Sequence, residues 1–401
     1  MIFPTTRLRF TCSSPLKYGA NAAAQFDNPE WPRFVRITDI TDDGRLKDET
    51  FRSLPPEEAE PYLLEDGDLL LARSGSIGRS FIYRPGWGTV CHAGYLIRAR
   101  LCESFDPKYV FWALNTSDYW AWVESIAIRS TIQNVSAEKY ADFAVPTPKL
   151  ATQKRIAAFL DEKTAQIDGL IAKKQVLLER LAEKRQAIIT QAVTKGVNPA
   201  APLKDSGIDW LGQIPAHWEV RSLRFAVENL NRMRVPIAAE LRKGIERLYP
   251  YYGASGIIDY VDEYIFDFPT VLVAEDGANL LSRSTPLAFS ADGQYWVNNH
   301  AHILRPTSLS IWFCAALLAL YPLDPHISGS AQPKLTKDAL MSLPVWVPPL
   351  KEQASIEEAV IEDLLAIDPV LEKCAESVEK LAEYRSALIT AAVTGQIEGL
   401  R

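Results

Sequence analysis

The chain has 401 residues, of which 47% are hydrophobic and 23% charged, and its formal net charge is −7. This length suits at least two domains, and the composition excludes a disordered chain or a collagen-like fibre. The most apolar run, Ile311 to Tyr321, is shorter than the roughly 20 residues that span a bilayer, and the N-terminus lacks a signal-peptide pattern. We therefore expect a cytoplasmic protein with no membrane partner, whose five separated cysteines stay reduced.

Residues 1–149 have the pattern of a mixed α and β domain. Residues 67–83 are typical of a strand, a Gly/Ser turn and a second strand, and a further strand-like stretch follows at 89–99. A short helix is predicted at 109–120. A polar loop and a strand at 129–148 close this first globular segment.

Residues 150–196 are predicted to form one long amphipathic helix. Apolar residues recur three and four positions apart from Ile156 to Ala192, and Gly196 marks the expected helix end after Lys195. Such a helix is roughly 70 Å long and needs an apolar partner along its length. The acid-x-Lys spacing at 161–163 is also found in nucleases, but no acidic partner precedes it, so a solvated helix face is favoured.

Residues 197–349 repeat the order of the first segment. Strands are predicted within 269–289 and 295–306, a helix at 310–322, and a polar loop with a strand at 328–349. His300 and His302 are two positions apart on a predicted strand, where they share a face and suit a metal. Since no cluster of cysteines or carboxylates accompanies them, a structural or DNA-contacting role is favoured.

Residues 350–401 are a second copy of the long helix at an offset of 200. Residues 181–194 and 381–394 are identical at ten of fourteen positions, and the same offset aligns Gln153 with Gln353. We expect a kink or short break near Asp368–Pro369, because proline lacks a backbone donor and clashes with the preceding turn. The helix should end at Thr394, before a glycine.

The two helix copies are complementary in charge. Residues 150–200 contain nine basic and five acidic side chains, whereas residues 350–401 contain five basic and eleven acidic ones. Each helix follows a globular segment and must return the chain, so an antiparallel arrangement is favoured. The sequence therefore predicts an α+β fold: two similar globular domains, separated by two long helices that form an antiparallel coiled coil.

Candidate DNA-contacting residues cluster in the polar loops of both globular segments. Arg, Lys, Asn and Gln can hydrogen-bond to base edges, while Ser, Thr and backbone amides suit phosphates. A solvated loop is the simpler interpretation of each residue alone, and the 249–256 run is also consistent with a packed aromatic turn. Their recurrence at matching places favours DNA binding. The first segment offers Arg73, Ser74, Ser76, Arg79, Arg129, Ser130, Thr131, Gln133 and Asn134, and the second Tyr251, Tyr252, Ser255, Asn279, Arg283, Asn298, Asn299, Ser330, Gln332 and Lys334.

Signatures of catalysis are missing from the sequence. There is no phosphate-binding loop of the ATPase type, no glycine-rich cofactor loop and no Asn/Asp-Pro-Pro-aromatic tetrapeptide of an amino-methyltransferase. We expect no catalytic centre, no metal site and no cofactor in this chain. The net negative charge argues against tight autonomous binding to DNA, but it is consistent with DNA contact through local basic loops inside a larger complex that supplies more positive charge.

Six stretches are distinctive and together extend over nearly the whole chain: WPRFVRITDITDDG at 31–44 and those at 147–168, 181–196, 207–220, 251–264 and 297–304. These stretches resemble the specificity subunits of type I restriction-modification systems. The resemblance implies that residues 1–149 and 197–349 are target-recognition domains, each reading one half of a bipartite target in double-stranded DNA. It implies that the helices, residues 150–196 and 350–401, set the spacer between the half-targets.

The resemblance also implies partners. It implies that two methyltransferase subunits dock on the helices and transfer a methyl group from S-adenosylmethionine to adenine. It also implies that motor-nuclease restriction subunits join for cleavage, and that ATP and Mg²⁺ are held by the partner subunits. Two other interpretations compete with a specificity subunit. A self-contained DNA enzyme needs a catalytic cluster that the sequence does not show. A coiled-coil scaffold that binds only proteins accounts for the helices but not for the paired polar loops.

Overall fold

The computed structural model describes residues 2–41, 44–127, 134–242, 246–329 and 332–401. The chain divides into two compact units: unit 1 comprises Met1–Val176 with Cys374–Arg401, and unit 2 comprises Leu177–Lys373. Each unit therefore joins one globular segment to the start of one long helix and the end of the other. In the described ranges, no helix combines the length and apolar character needed to cross a membrane.

Unit 1 is organised around a four-stranded antiparallel sheet. All four residues of its central strand, Leu69–Ala72, are buried, which follows from their apolar side chains pointing alternately to both faces. Leu69 and Leu71 pack into the core that contains Ile156 of the first long helix. Leu70, on the other face, packs with Val35. The strand order is Lys17–Tyr18, Leu96–Ala99, Leu69–Ala72, Ser80–Ile82.

Among the described residues, the globular part of unit 1 also contains two further strand pairs and four α-helices. Thr5–Arg7 is antiparallel to Ala144–Pro146, and Arg33–Val35 is parallel to Val90–His92. The stretch predicted as one helix at 109–120 is two helices, because Thr116 begins the second by accepting the Tyr119 N–H. The helices are Pro56–Ala59, Pro107–Ala113, Ser117–Ala127 and Ala137–Ala141.

Unit 2 repeats this topology, which confirms the prediction of two similar domains. Its four-stranded sheet has the order Val227–Asn229, Ala301–Pro306, Thr270–Ala274, Ala288–Ala291. The outer pair is Glu219–Ser222 with Pro344–Val347, the counterpart of Thr5–Arg7 with Ala144–Pro146 in unit 1. The other strands are Leu203–Asp205, Gln213–Pro215, Tyr249–Gly253, Gly256–Val261, Trp296–Val297, Ile327–Ser328 and Lys334–Leu335, and the helices are Asn279–Ser282, Ile311–Leu320 and Lys337–Ser342.

The first long helix is continuous, whereas the second is broken. The first runs over 46 residues, Leu150–Lys195, and Gly196 follows it with a φ of 72°. The second consists of Leu350–Leu365 and Asp368–Val393, so the break predicted near Pro369 is present. Pro369 lies in the first turn of the new helix, where its missing N–H leaves no hydrogen bond unmade.

The helices are antiparallel in each unit, as predicted. In unit 1, Asp168 accepts two hydrogen bonds from Arg385, at 2.8 and 3.1 Å. In unit 2, Asp368 accepts one from Arg185 at 2.9 Å. The two ion pairs join the same two positions of the 200-residue repeat, with the helices exchanged. Each unit therefore pairs its own two helix segments in an equivalent antiparallel register.

Reversing one of these charges should weaken the helix pairing slightly. The Arg385→Asp variant places two carboxylates together, and we expect the free energy of unfolding to fall by about 0.5–1 kcal/mol, because both side chains are partly exposed. The double variant Asp168→Arg/Arg385→Asp should recover most of this loss. Urea unfolding of the four proteins of the cycle measures the coupling, and additive losses would contradict the assigned register.

Each globular segment holds the start of one helix through a buried glutamine. Gln153 accepts a hydrogen bond from the Asp106 N–H at 2.9 Å and donates to the carbonyls of Ser104 at 3.2 Å and Pro148 at 2.9 Å. Gln353 makes the same three contacts in unit 2, with Ser310 N–H at 2.6 Å, Ser308 O at 3.0 Å and Pro348 O at 2.7 Å. These amides fix where each helix leaves its domain.

The helix ends are held in an equivalent way. The Trp346 indole N–H donates to the Val193 carbonyl at 2.6 Å, and the Tyr109 hydroxyl donates to the Val393 carbonyl at 3.3 Å. Both carbonyls lie in the last turn of a helix, where backbone acceptors lack intrahelical partners. Each unit thus fixes one helix start and one helix end to the same globular segment.

Candidate nucleic-acid interface

Three loop segments meet at one edge of the four-stranded sheet in each unit. In unit 1, Arg73 donates its backbone N–H to Tyr95 O at 2.9 Å and accepts from Val135 N–H at 3.0 Å. In unit 2, the backbone N–H of Glu275 donates to His300 O at 3.0 Å, and the backbone carbonyl of Glu275 accepts from Leu335 N–H at 2.8 Å. The backbone therefore places Arg73 and Glu275 at equivalent positions. We call these surfaces edge 1 (residues 73–79, Tyr95 and Asn134) and edge 2 (residues 275–277, 298–300 and 332–334).

Edge 1 brings together five of the predicted residues. The Arg73 Nε donates to the Asn134 Oδ1 at 3.0 Å, and the guanidinium lies 5.0 Å from the centre of the Tyr18 ring. Ser74 and Ser76 are partly exposed in the same loop, which ends at Arg79. Arg79 donates to the Thr41 carbonyl at 3.2 Å. The other predicted residues of this segment, Arg129, Ser130, Thr131 and Gln133, lie outside the described residues.

Edge 2 is built around a charged network. The Glu275 carboxylate pairs with Arg234 and lies 3.3 Å from the Lys334 Nζ and 3.6 Å from His302. Burial raises the pKa of Glu275, but the hydrogen bond from Arg234 and the nearby positive charges outweigh it and hold the pKa below its usual value. The ionised carboxylate of Glu275 therefore attracts the Lys334 ammonium group, while about half of the Lys334 side chain is exposed.

Further polar groups surround this network. Asn299 and Gln332 are exposed, and the His300 Nδ1 lies 2.9 Å from an oxygen of Asp276. Edge 2 thus presents acidic, amide and basic groups side by side. Ser330 lies outside the described residues.

Several predicted residues of unit 2 have structural partners. Tyr251 is 1% exposed, and its hydroxyl accepts the Ile237 N–H at 3.0 Å. The Asn298 Oδ1 accepts the His300 N–H at 2.8 Å, and the Asn279 Oδ1 accepts the Thr285 N–H at 2.9 Å. Arg283 has a φ of 49°, and its side chain donates to the Tyr321 carbonyl at 2.7 Å. The ring centres of Tyr252 and Tyr295 are 5.6 Å apart. Ser255 is exposed in a hairpin turn. Their contact with DNA stays a prediction.

The histidine pair is not arranged as expected. His300 lies in the turn before the strand Ala301–Pro306, so it does not share a strand face with His302. His302 is fully buried, with one ring nitrogen 2.8 Å from the Leu335 carbonyl and the other 2.8 Å from the Asn231 side chain. Burial lowers the pKa of His302. Over the described ranges, no group of three side chains is arranged to hold a metal ion.

Sequence reasoning missed several residues of these edges. Glu275 and Asp276 occupy the places of Arg73 and Ser74, and aligning Ala72–Gly75 with Ala274–Gly277 at an offset of 202 would have found them. Tyr95 is 63% exposed at edge 1, but no motif marks it. Arg234 comes from a distant segment, and only the fold places it beside Glu275.

Comparison with known proteins identifies the family of these units. The sequence profile of the type I restriction modification DNA specificity domain matches residues 27–180 and 215–361. A protein of Methanocaldococcus jannaschii, described as the specificity subunit of the type I restriction enzyme MjaX, is 24% identical over 374 residues, 90% of this chain and 84% of that protein. The EcoprrI specificity subunit of Escherichia coli is 22% identical over an alignment that covers 89% of this chain and 87% of that protein.

One curated relative is more similar over a shorter stretch. A specificity-subunit protein of Haemophilus influenzae is 35% identical over 140 residues, about a third of each chain. Solved structures share the fold. A chain from a type I R-M system, studied for its assembly and conformational transition, covers 98% of this chain with a TM-score of 0.73 and 16% identity. The HsdS subunit of Thermoanaerobacter tengcongensis covers 99% of it with a TM-score of 0.51 and 16% identity.

Proposed function

Because this chain belongs to the family of type I restriction modification DNA specificity domains, we propose that it selects the DNA sequence on which a type I restriction-modification complex acts. Each globular segment contacts one half of a bipartite target in double-stranded DNA, using the polar edge of its sheet. Edge 1 serves one half-target and edge 2 the other. The helices set the spacer between them.

One observation carries this proposal. The two units hold the same three loop segments with the same backbone hydrogen bonds, yet place arginine and asparagine at edge 1 where edge 2 has glutamate and lysine. A shared scaffold with different hydrogen-bonding groups is what a protein needs in order to recognise two different short sequences. A scaffold that binds only proteins gives no reason for this pairing, and the family match favours DNA specificity over it.

The partners and cofactors follow from the same proposal. Two methyltransferase subunits dock on the long helices, and motor-nuclease subunits join them for cleavage. Those subunits hold S-adenosylmethionine, ATP and Mg²⁺, while this chain contributes no catalytic group. The complex works in the cytoplasm, where its DNA target is.

Exchange of one globular segment tests the division of labour. Residues 1–149 are replaced by the corresponding segment of a family member with a different known target, and the chain is produced with its methyltransferase subunits. We expect one half of the methylated motif to change while the other half and the gap stay the same. Co-purification of the methyltransferase subunits is the control for assembly. An unchanged motif in an assembled complex would support the protein-only scaffold instead.

A further inference from the structure

Resting on the proposed function, we infer that Arg73 recognises a guanine in the half-target bound by unit 1, with Asn134 as its positioning residue. The arginine is fixed before any DNA arrives. Its backbone N–H and C=O are bonded to Tyr95 and Val135, and its side chain is held between the Tyr18 ring and the Asn134 amide.

These contacts leave the two terminal nitrogens of the side chain free to donate hydrogen bonds, although the Glu138 carboxylate interacts with Arg73 electrostatically. The hydrogen bond to Asn134 comes from Nε, and neither terminal nitrogen of Arg73 has a hydrogen-bond partner among the described residues. Arg73 is a partly buried residue, and contacts with the Asn134 amide and the Tyr18 ring hold its guanidinium in place. A planar pair of donors held in this way loses little conformational freedom on binding, which favours a directional contact over a diffuse charge.

Guanine is the base whose edge matches these donors. In the major groove it shows two adjacent acceptors, N7 and O6, which a guanidinium can engage together. Adenine and cytosine each place an amino group there, and thymine offers one acceptor beside a methyl group. A phosphate also accepts two hydrogen bonds from arginine, but such a contact carries no sequence information. The test below separates these two targets.

The same place in unit 2 has the opposite chemistry. Glu275 is an acceptor, and Arg234 and Lys334 already occupy its carboxylate. This position therefore supplies no free guanidinium to the second half-target. At this position after the central strand, a preference for guanine is therefore expected only in the half-target that unit 1 binds.

The test compares variants of the full chain in complex with its methyltransferase subunits, on duplexes that carry each base pair at every position of the methylated motif. The wild-type complex should require a G·C pair in the half-target that changes when residues 1–149 are exchanged. In the Arg73→Ala variant, the preference for that pair should fall about 5- to 150-fold. The other half-target and the gap should stay as they are. Arg84→Ala removes an exposed arginine beyond the other end of the neighbouring strand, Ser80–Ile82, and should change nothing.

Asn134→Ala keeps the charge of Arg73 but releases its Nε, so it should lower the preference at the same base pair by a smaller factor. This variant keeps the test decisive if Arg73→Ala lowers thermal stability. A wild-type half-target without any G·C pair would overturn the inference, as would an equal loss of methylation on all duplexes, which indicates a phosphate contact. A wild-type complex with no sequence preference would instead refute the proposed function itself.

Discussion

Replacing Gln353 with alanine should lower the free energy of unfolding of unit 2 by about 3 kcal/mol or more. The side chain is fully buried and makes three hydrogen bonds to backbone groups of two loops. Its removal leaves one N–H and two carbonyls inside the protein without partners, and each unpaired group costs about 1–3 kcal/mol. Gln153→Ala should have the same effect on unit 1, because the same three contacts are made there.

Urea unfolding followed by hydrogen-exchange mass spectrometry assigns the loss to one unit or the other. Gln175→Ala, an exposed position of the first long helix, is the matched control and should change the free energy of unfolding by less than about 0.5 kcal/mol. If Gln353→Ala were no more destabilising than this control, the glutamine would not hold the helix to its domain.

Removing one heptad from both long helices should shorten the gap between the half-targets by about three base pairs. Seven residues correspond to about 10 Å of helix, and base pairs are spaced by about 3.4 Å. Residues 173–179 and 373–379 are equivalent positions of the repeat, so deleting both stretches shortens the two helices at the same place. Seven residues are also nearly two full turns, so the apolar faces of both helices stay aligned.

The new motif is found by mapping methylated adenines in cells that express the shortened chain and its methyltransferase subunits. Both half-targets should persist with a shorter gap. Deleting the heptad from one helix alone is the control, and should abolish methylation because the antiparallel register is lost. If the double deletion left the gap unchanged, the helices would not set the spacer.

The architecture was accessible from sequence because it depends on local and repeated patterns. The 200-residue repeat and the three-and-four spacing of apolar residues predicted two long helices, and the chemistry of Pro369 predicted the break. Gly169, the matching position of the first copy, leaves its helix continuous. A glycine inside a helix costs only about 1 kcal/mol and retains its hydrogen bond, whereas proline loses it.

The candidate interface was only partly accessible. The loops that form it could be recognised, because Gly, Ser, Arg and Asn mark turns and exposed polar segments. The contacts within it join residues far apart in sequence, such as Arg73 with Asn134 and Arg234 with Glu275. Tyr251 shows the opposite problem, since it was grouped with the exposed loop residues but its ring is buried in the strand Tyr249–Gly253. Composition cannot distinguish such a packed ring from an exposed one.

The alignment of repeats showed where equivalent residues lie but not what they do. Gln153 and Gln353 were matched by the offset of 200, yet their role depends on the backbone groups that meet each amide. Polar residues at the start of a helix usually face solvent, so nothing in the sequence singled these two out for burial. Their function appears only when the loops of the domain are in place.

The most direct test of the central claim is a map of methylated adenines in cells that express this chain with its methyltransferase subunits, compared with cells that express the methyltransferase subunits alone. We expect a two-part motif with a fixed gap that appears only when the chain is present. Stable assembly of the chain with the methyltransferase subunits, but no new methylated motif, would contradict its role in selecting the DNA sequence.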